Sequence, residues 1–149
     1  MPCNLTLIGK NLDIDTFVKK SKLRGYLKSY KGQPRFKSKP EGEKLPYSLL
    51  KIQTSKADFD NLVKQIKETI KYLKRNKEKL SHILVTPEIE YAILDFGIDL
   101  TIDRKKTLTQ SSLFPNDLLK LAGDLGLDIE LSIYPINLQT ILEKRSKKS

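Results

Sequence analysis

The chain has few of the residues from which enzymes and metal sites are commonly built. Its 149 residues include one cysteine, Cys3, one histidine, His82, and no tryptophan. A lone cysteine forms no intramolecular disulfide, and without cysteine neighbours it builds no zinc site. G-x-S-x-G, H-E-x-x-H and phosphate-binding glycine motifs are also missing. These absences argue against the common hydrolases, kinases and zinc enzymes. We expect a protein that is not an enzyme and that holds no cofactor or metal ion.

Long apolar runs are missing as well. No run approaches the ~20 residues that a membrane-spanning helix needs. The first ten residues, MPCNLTLIGK, lack the charged start and long apolar stretch of a secretion signal. An unpaired cysteine fits a reducing compartment, and we expect Cys3 to be a buried strand residue. The sequence therefore predicts a cytoplasmic protein that does not contact a membrane.

Two main helices are predicted from apolar residues three and four positions apart. The first begins near Ala57, where Ser55 and Asp58 have the form of a capping box. Its expected buried stripe is Phe59, Leu62, Val63, Ile66, Ile70 and Leu73. The second has Pro115 as its first residue and ends at Gly126 in the left-handed conformation. Its expected buried stripe is Leu118, Leu119, Ala122 and Leu125.

Alternating or extended patterns predict the strands. These are NLTLIG at the start, YLKSY and PYSLLKI paired as a long-looped hairpin, and LDIELSIY after the second main helix. A brief helix capped by Asp13 or Asp15 is expected after the first strand. From Ile89 to Leu100 the apolar residues change parity, so we expect a bulge or break near Ile93 to Asp95.

Together these patterns predict the α+β class. We expect a single domain over residues 1–136, with a largely antiparallel sheet of four to six strands and the two main helices on one face. Residues 137–149 are expected to form a short helical turn and a basic tail.

Positive charge is concentrated in the first third of the chain. The net charge is +10, and residues 19–39, KKSKLRGYLKSYKGQPRFKSK, hold nine basic side chains and no acidic one. One interpretation is a nucleic-acid site, with Tyr26, Tyr30 and Phe36 stacking on bases. The other is a solvated hairpin whose lysines protect a sheet edge. The candidate contact residues for a partner or a nucleic acid are Lys28, Tyr30, Lys31, Arg35, Phe36 and Lys37.

Two segments carry a resemblance to a known group of proteins. YLKSYKGQPRF followed by PYSLLKI, and the later FPNDLLKLAGDLGLDIELSIYP, resemble a widespread family of small bacterial α+β domains of unknown function, over roughly residues 4–135. Members often carry a tryptophan where this chain has Tyr47. The resemblance implies no catalytic residues and, by analogy, an immunity-type role. With the charge, it favours a non-enzymatic protein that neutralises an acidic protein partner. A nucleic-acid-binding module using residues 19–39 is the alternative.

Overall fold

Five strands form one sheet in the computed structural model, which describes residues 2–103, 105–135 and 146–147. The strands are β1 (Cys3–Gly9), β2 (Leu27–Ser29), β3 (Ser48–Ser55), β4 (Tyr91–Asp99) and β5 (Asp128–Tyr134). Their order is β2-β3-β1-β4-β5, and all neighbouring pairs are antiparallel except β4 and β5. The predicted α+β domain with a largely antiparallel sheet is confirmed. The predicted turn and tail over residues 137–149 fall mostly outside the described residues.

The helices pack on one face of this sheet. They are α1 (Ile14–Ser21), α2 (Leu62–Arg75), α3 (Lys77–Leu80) and α4 (Asn116–Asp124), with a 3-10 turn at Ser81–Ile83. Two parallel strands need a crossover connection. Helix α4 lies in the connection between the parallel strands β4 and β5. None of the helices in the described part of the chain is long and apolar enough to cross a bilayer.

The core lies between the helices and the face of the sheet that carries Leu5, Leu7, Leu50, Leu94 and Phe96. These residues alternate along β1, β3 and β4, so they share one face. The helices contribute apolar side chains to the same cluster, including Ile14, Phe17, Ile66, Leu73 and Leu118. The central position of β1 also buries its opposite face, where Asn4 and Thr6 lie.

The predicted start of α2 is wrong by five residues. The helix begins at Leu62, and Asn61 is its cap, with the side-chain oxygen accepting from the Lys64 amide at 3.0 Å. Ser55 is the last residue of β3 and makes other bonds: its hydroxyl donates to Glu68 and accepts from the Ala57 amide. The serine of the predicted capping box is therefore the end of a strand and not the cap of a helix.

The buried stripe of α2 is also displaced from the predicted one. Val63 is 65% exposed, whereas the polar residues Gln65 and Thr69 are fully buried. Gln65 donates to the carbonyls of Asp58 and Gly97, and Thr69 bonds with Thr54. Hydrogen bonds to the sheet thus allow polar side chains to occupy the buried face.

The α4 prediction is correct apart from two details. Pro115 has extended dihedral angles and is the cap, so it lies one position before the first helical residue. Leu119 is 49% exposed, while Leu118, Ala122 and Leu125 are buried as predicted. Gly126 has a φ of 69°, which is the expected left-handed end.

The predicted bulge near Ile93 to Asp95 is absent from β4, since the pairing of β4 with β1 and β5 runs without interruption there. The irregularity lies instead at Cys3 and Asn4, where β1 pairs with β3. The apparent parity change arises because Tyr91 and Ile93 are apolar residues on the face opposite the core, where Tyr91 is exposed.

Candidate functional site

Lys28 and Tyr30 are tied to helix α1 by one carboxylate. The Lys28 ammonium lies 2.9 Å from Asp15 Oδ1, and the Tyr30 hydroxyl donates to the same carboxylate at 3.0 Å. The hydrogen bond from Lys28, followed by that from Tyr30, lowers the pKa of Asp15. The Tyr30 ring packs against the core, and desolvation raises the pKa of its hydroxyl. Both side chains therefore tie strand β2 to α1, and the Tyr30 ring is partly buried.

Arg35 is compensated within its own loop. Its guanidinium donates to both carboxylate oxygens of Glu43, at 2.8 and 2.9 Å. The Arg35 amide also donates to the Glu43 carbonyl, next to an isolated bridge between Pro34 and Lys44. The hydrogen bond to Glu43 raises the pKa of Arg35. This arginine therefore stabilises the β2–β3 loop.

Five of the six candidate residues are exposed, and three of these five make no ion pair with the described residues. Phe36 is 58% exposed, and Lys31 and Lys37 are also exposed. Tyr26 is 45% exposed as well, but its hydroxyl donates to Asn4 of β1 at 3.0 Å. The structure thus separates the six predicted contact residues into two groups. Lys28, Tyr30 and Arg35 are engaged within the chain, and Lys31, Phe36 and Lys37 are left at the hairpin.

A second concentration of positive charge was not predicted as a site. The basic groove, as we call it, lies between the end of α1 and the junction of α2 with α3, and its volume is ≈ 780 Å³. Its cations are Lys19, Lys22, Arg24, Arg75 and Lys79. No carboxylate is among the described residues that line it. The groove brings together two segments of the chain about fifty residues apart.

None of the cations of the basic groove forms an ion pair with the part of the chain that the structure describes. The ion pairs found among residues 2–103, 105–135 and 146–147 are Lys28–Asp15 and Arg35–Glu43, and neither reaches the groove. The last turns of α1 and α2 do provide carbonyl ends that favour nearby cations. Those partial charges are smaller than the charges of five cations, so the groove is a positive surface.

The turn that ends α1 positions one of these cations. Lys22 caps the helix in the left-handed conformation, with a φ of 61°, and its amide donates to the Val18 carbonyl at 2.9 Å. It is the non-glycine residue with a positive φ in the described part of the chain. Residues other than glycine are unfavourable in the left-handed conformation. Lysine at this position therefore lowers the stability of the fold.

The single cysteine and the single histidine do not form a second candidate site. Cys3 is buried, and burial raises the pKa of its thiol to about 11 although Thr54 and Thr69 hydrogen-bond to the sulfur. His82 lies in the 3-10 turn after α3. Within the described ranges, no three His, Cys, Asp or Glu side chains are grouped so that they could hold a metal ion.

Comparisons of the chain with models of protein families, with curated proteins and with solved structures gave no match. The resemblance to small bacterial α+β domains of unknown function therefore stays a prediction.

A signal for the basic groove is present in the sequence. Arg75 and Lys79 are four residues apart, which places them on one face of a helix. That spacing does not reveal which other element lies beside the face. In the sequence, Lys22 and Arg24 belong to the basic stretch of residues 19–39, which also contains Lys28.

Proposed function

We propose that this protein is a non-enzymatic binding protein whose partner is an acidic protein that docks in the basic groove. The observation that carries this proposal is a depression lined by five cations, for which the described residues supply neither an ion-pair partner nor a lining carboxylate. Unpaired charge of one sign steers and selects partners of the opposite sign. An immunity-type role, in which binding neutralises the partner, is the specific form of this function that we favour.

An acidic protein fits the groove better than a single-stranded nucleic acid does. Proteins that bind single strands combine positive charge with exposed aromatic rings on which bases stack. The aromatic residue of the groove is Tyr72, whose ring is half-buried and packs against the core. Burial raises the pKa of its hydroxyl, so Tyr72 stays neutral and does not oppose an anionic partner.

A direct test compares acidic peptide with nucleic acid on matched variants. Fluorescence anisotropy would follow the titration of a labelled glutamate-rich peptide, and of labelled single-stranded RNA, at about 50 and about 200 mM salt. The groove variant is Lys22→Gly combined with Lys79→Ala, because glycine suits the left-handed cap and alanine suits helix α3. The control is Lys37→Ala, which removes an exposed lysine of the hairpin.

We expect the groove variant to weaken peptide binding about five- to tenfold, since two exposed charge contacts are lost, and the control to change it little. Equal effects of the two variants, or RNA binding that exceeds peptide binding, would contradict the proposal.

The hairpin gives a second candidate function, nucleic-acid binding. Phe36 is 58% exposed, and the exposed Lys31 and Lys37 lie in the same loop. This arrangement supplies one stacking face beside phosphate-binding charges. The RNA titration tests it, because Phe36→Ala with Lys37→Ala should then abolish RNA binding while leaving peptide binding unchanged.

A further inference from the structure

The basic groove continues into a second depression. That depression has a volume of ≈ 380 Å³ and lies beside the end of β3, where Lys56 and Lys71 line it. Tyr72 and Arg75 line both depressions, so the two adjoin at these side chains. Neither Lys56 nor Lys71 takes part in an ion pair with the described residues. We refer to the two depressions together as the basic track.

One helical face forms the floor of the basic track. Glu68, Lys71, Tyr72, Arg75 and Lys79 are spaced by three or four residues along α2 and α3. The Asn76 amide donates to the Tyr72 carbonyl and the Leu80 amide to the Asn76 carbonyl, so the helical path continues across the junction. The eleven steps from Glu68 to Lys79, at about 1.5 Å each, give a floor roughly 16 Å long.

The length of the floor matches a short extended peptide. An extended chain advances about 3.3 Å per residue, so roughly five residues would cover the track. The charges follow the same line. Lys19, Lys22, Arg24 and Lys79 lie towards α1, Arg75 lies in the middle, and Lys56 and Lys71 lie towards β3.

Glu68 marks the β3 end of the track. Its carboxylate accepts from the Ser55 hydroxyl at 2.7 Å and from the Lys56 amide at 2.9 Å. These bonds, led by that from Ser55, lower the pKa of Glu68, so it remains charged. A fixed negative charge at this end repels further acidic residues and limits the length of an acidic ligand.

From this geometry we propose that the basic track binds an extended acidic segment of about five residues, running along α2 and α3 from the end of α1 to the end of β3. This inference rests on the proposed function and specifies the form of the partner. A folded acidic surface that touches the basic groove alone would leave Lys71 without a role. The half-buried Tyr72 provides no exposed stacking ring along the track, so a peptide fits it better than a single-stranded nucleic acid.

The test uses two labelled peptides of equal length, with a central block of either three or six glutamates in a glycine–serine background. The variants are Lys71→Ala at the far end of the track and, as its control, Lys67→Ala. Both lysines are exposed on α2, but Lys67 does not line the track. The groove variant Lys22→Gly with Lys79→Ala is measured in parallel.

We expect the six-glutamate peptide to bind more tightly than the three-glutamate peptide. Lys71→Ala should weaken binding of the longer peptide about threefold, whereas Lys67→Ala should not. If Lys71→Ala and Lys67→Ala behave alike while the groove variant weakens both peptides, the track is wrong and the proposed function stands. If neither peptide binds at low salt, or if the groove variant binds like the unmodified protein, both proposals fail.

Discussion

Replacing Gly9 with alanine tests a close approach between two backbone segments. Gly9 ends strand β1, and a Cβ atom added there would lie 1.9 Å from the Glu88 carbonyl oxygen. That oxygen belongs to the turn before β4, so no flexible side chain can move aside. A contact of about 3.2 Å requires a shift of roughly 1.3 Å, which would strain the hydrogen bond from the Glu90 amide to the Ile8 carbonyl, now 2.8 Å long.

The expected loss of stability follows from these contacts. Overpacking of this kind costs about 1–3 kcal/mol, and a weakened hydrogen bond costs about 0.5–1.5 kcal/mol. Alanine also makes the unfolded chain stiffer, and this effect offsets about 0.4–1 kcal/mol of the lost stability. We therefore expect the free energy of unfolding to fall by roughly 2 kcal/mol and Tm by about 4–8 °C.

Urea and thermal denaturation would measure this change, with Gly123→Ala as the matched control. Gly123 lies within α4, and an added Cβ would meet nothing within 4 Å. The same chemical change should therefore stabilise the protein there by about 0.5–1 kcal/mol, because alanine favours a helix over glycine. If both variants shift stability in the same direction, or if Gly9→Ala is neutral, the close-approach argument is refuted.

Three further predictions follow from the described contacts. Because the pKa of Cys3 is raised to about 11 from 9.0, the unfolded chain loses its thiol proton first, and stability falls as pH rises through this window. Urea denaturation of Cys3→Ala should show a smaller decline, and parallel curves would refute the assignment. Asp15→Asn removes the carboxylate that holds β2, so hydrogen exchange should accelerate at residues 27–31 and not in β1; unchanged exchange there would show that β2 needs no such anchor. Since the pKa of Asp15 is lowered, the advantage of the unmodified protein over Asp15→Asn should be complete above pH 3.8 and should disappear as pH falls below it. Gly97→Ala would place a Cβ 2.7 Å from the Phe59 ring. It should cost about 1–3 kcal/mol, and a double-mutant cycle with Phe59→Ala should recover part of that loss.

Much of the fold could be predicted because its signals are local. Asp13 caps α1 by accepting from the Thr16 amide, and Gly126 ends α4, through interactions within a few residues. The errors arose where tertiary contacts outweigh local pattern. Gln65 and Thr69 are polar, but both are buried because the sheet provides hydrogen-bond partners. Single-sequence periodicity contains no information about such partners.

The candidate site was harder to predict because charge compensation is a property of the folded chain. Lys28 and Arg35 stand in a stretch without acidic residues, yet each meets a carboxylate, Asp15 or Glu43, from a neighbouring segment. The basic groove arises in the opposite way, since cations distant in sequence meet at a depression that no carboxylate of the described residues lines. Counting charges along the chain therefore located the excess of positive charge but not the surface on which it is uncompensated.

The central position of β1 has a consequence for how the protein folds during synthesis. Leu5 pairs with Ile52 on one side and with Leu94 on the other, so β1 can pair only after two strands much later in the chain have been made. Contacts between such distant residues close large loops, and domains dominated by them fold more slowly than those with local contacts. Until β4 has left the ribosome, β1 exposes an unpaired strand edge to which other chains could add. A nascent chain that ends before residue 91 should therefore depend on chaperones or on the ribosome surface to avoid aggregation, and the domain should acquire its protease resistance in one step after β4 emerges.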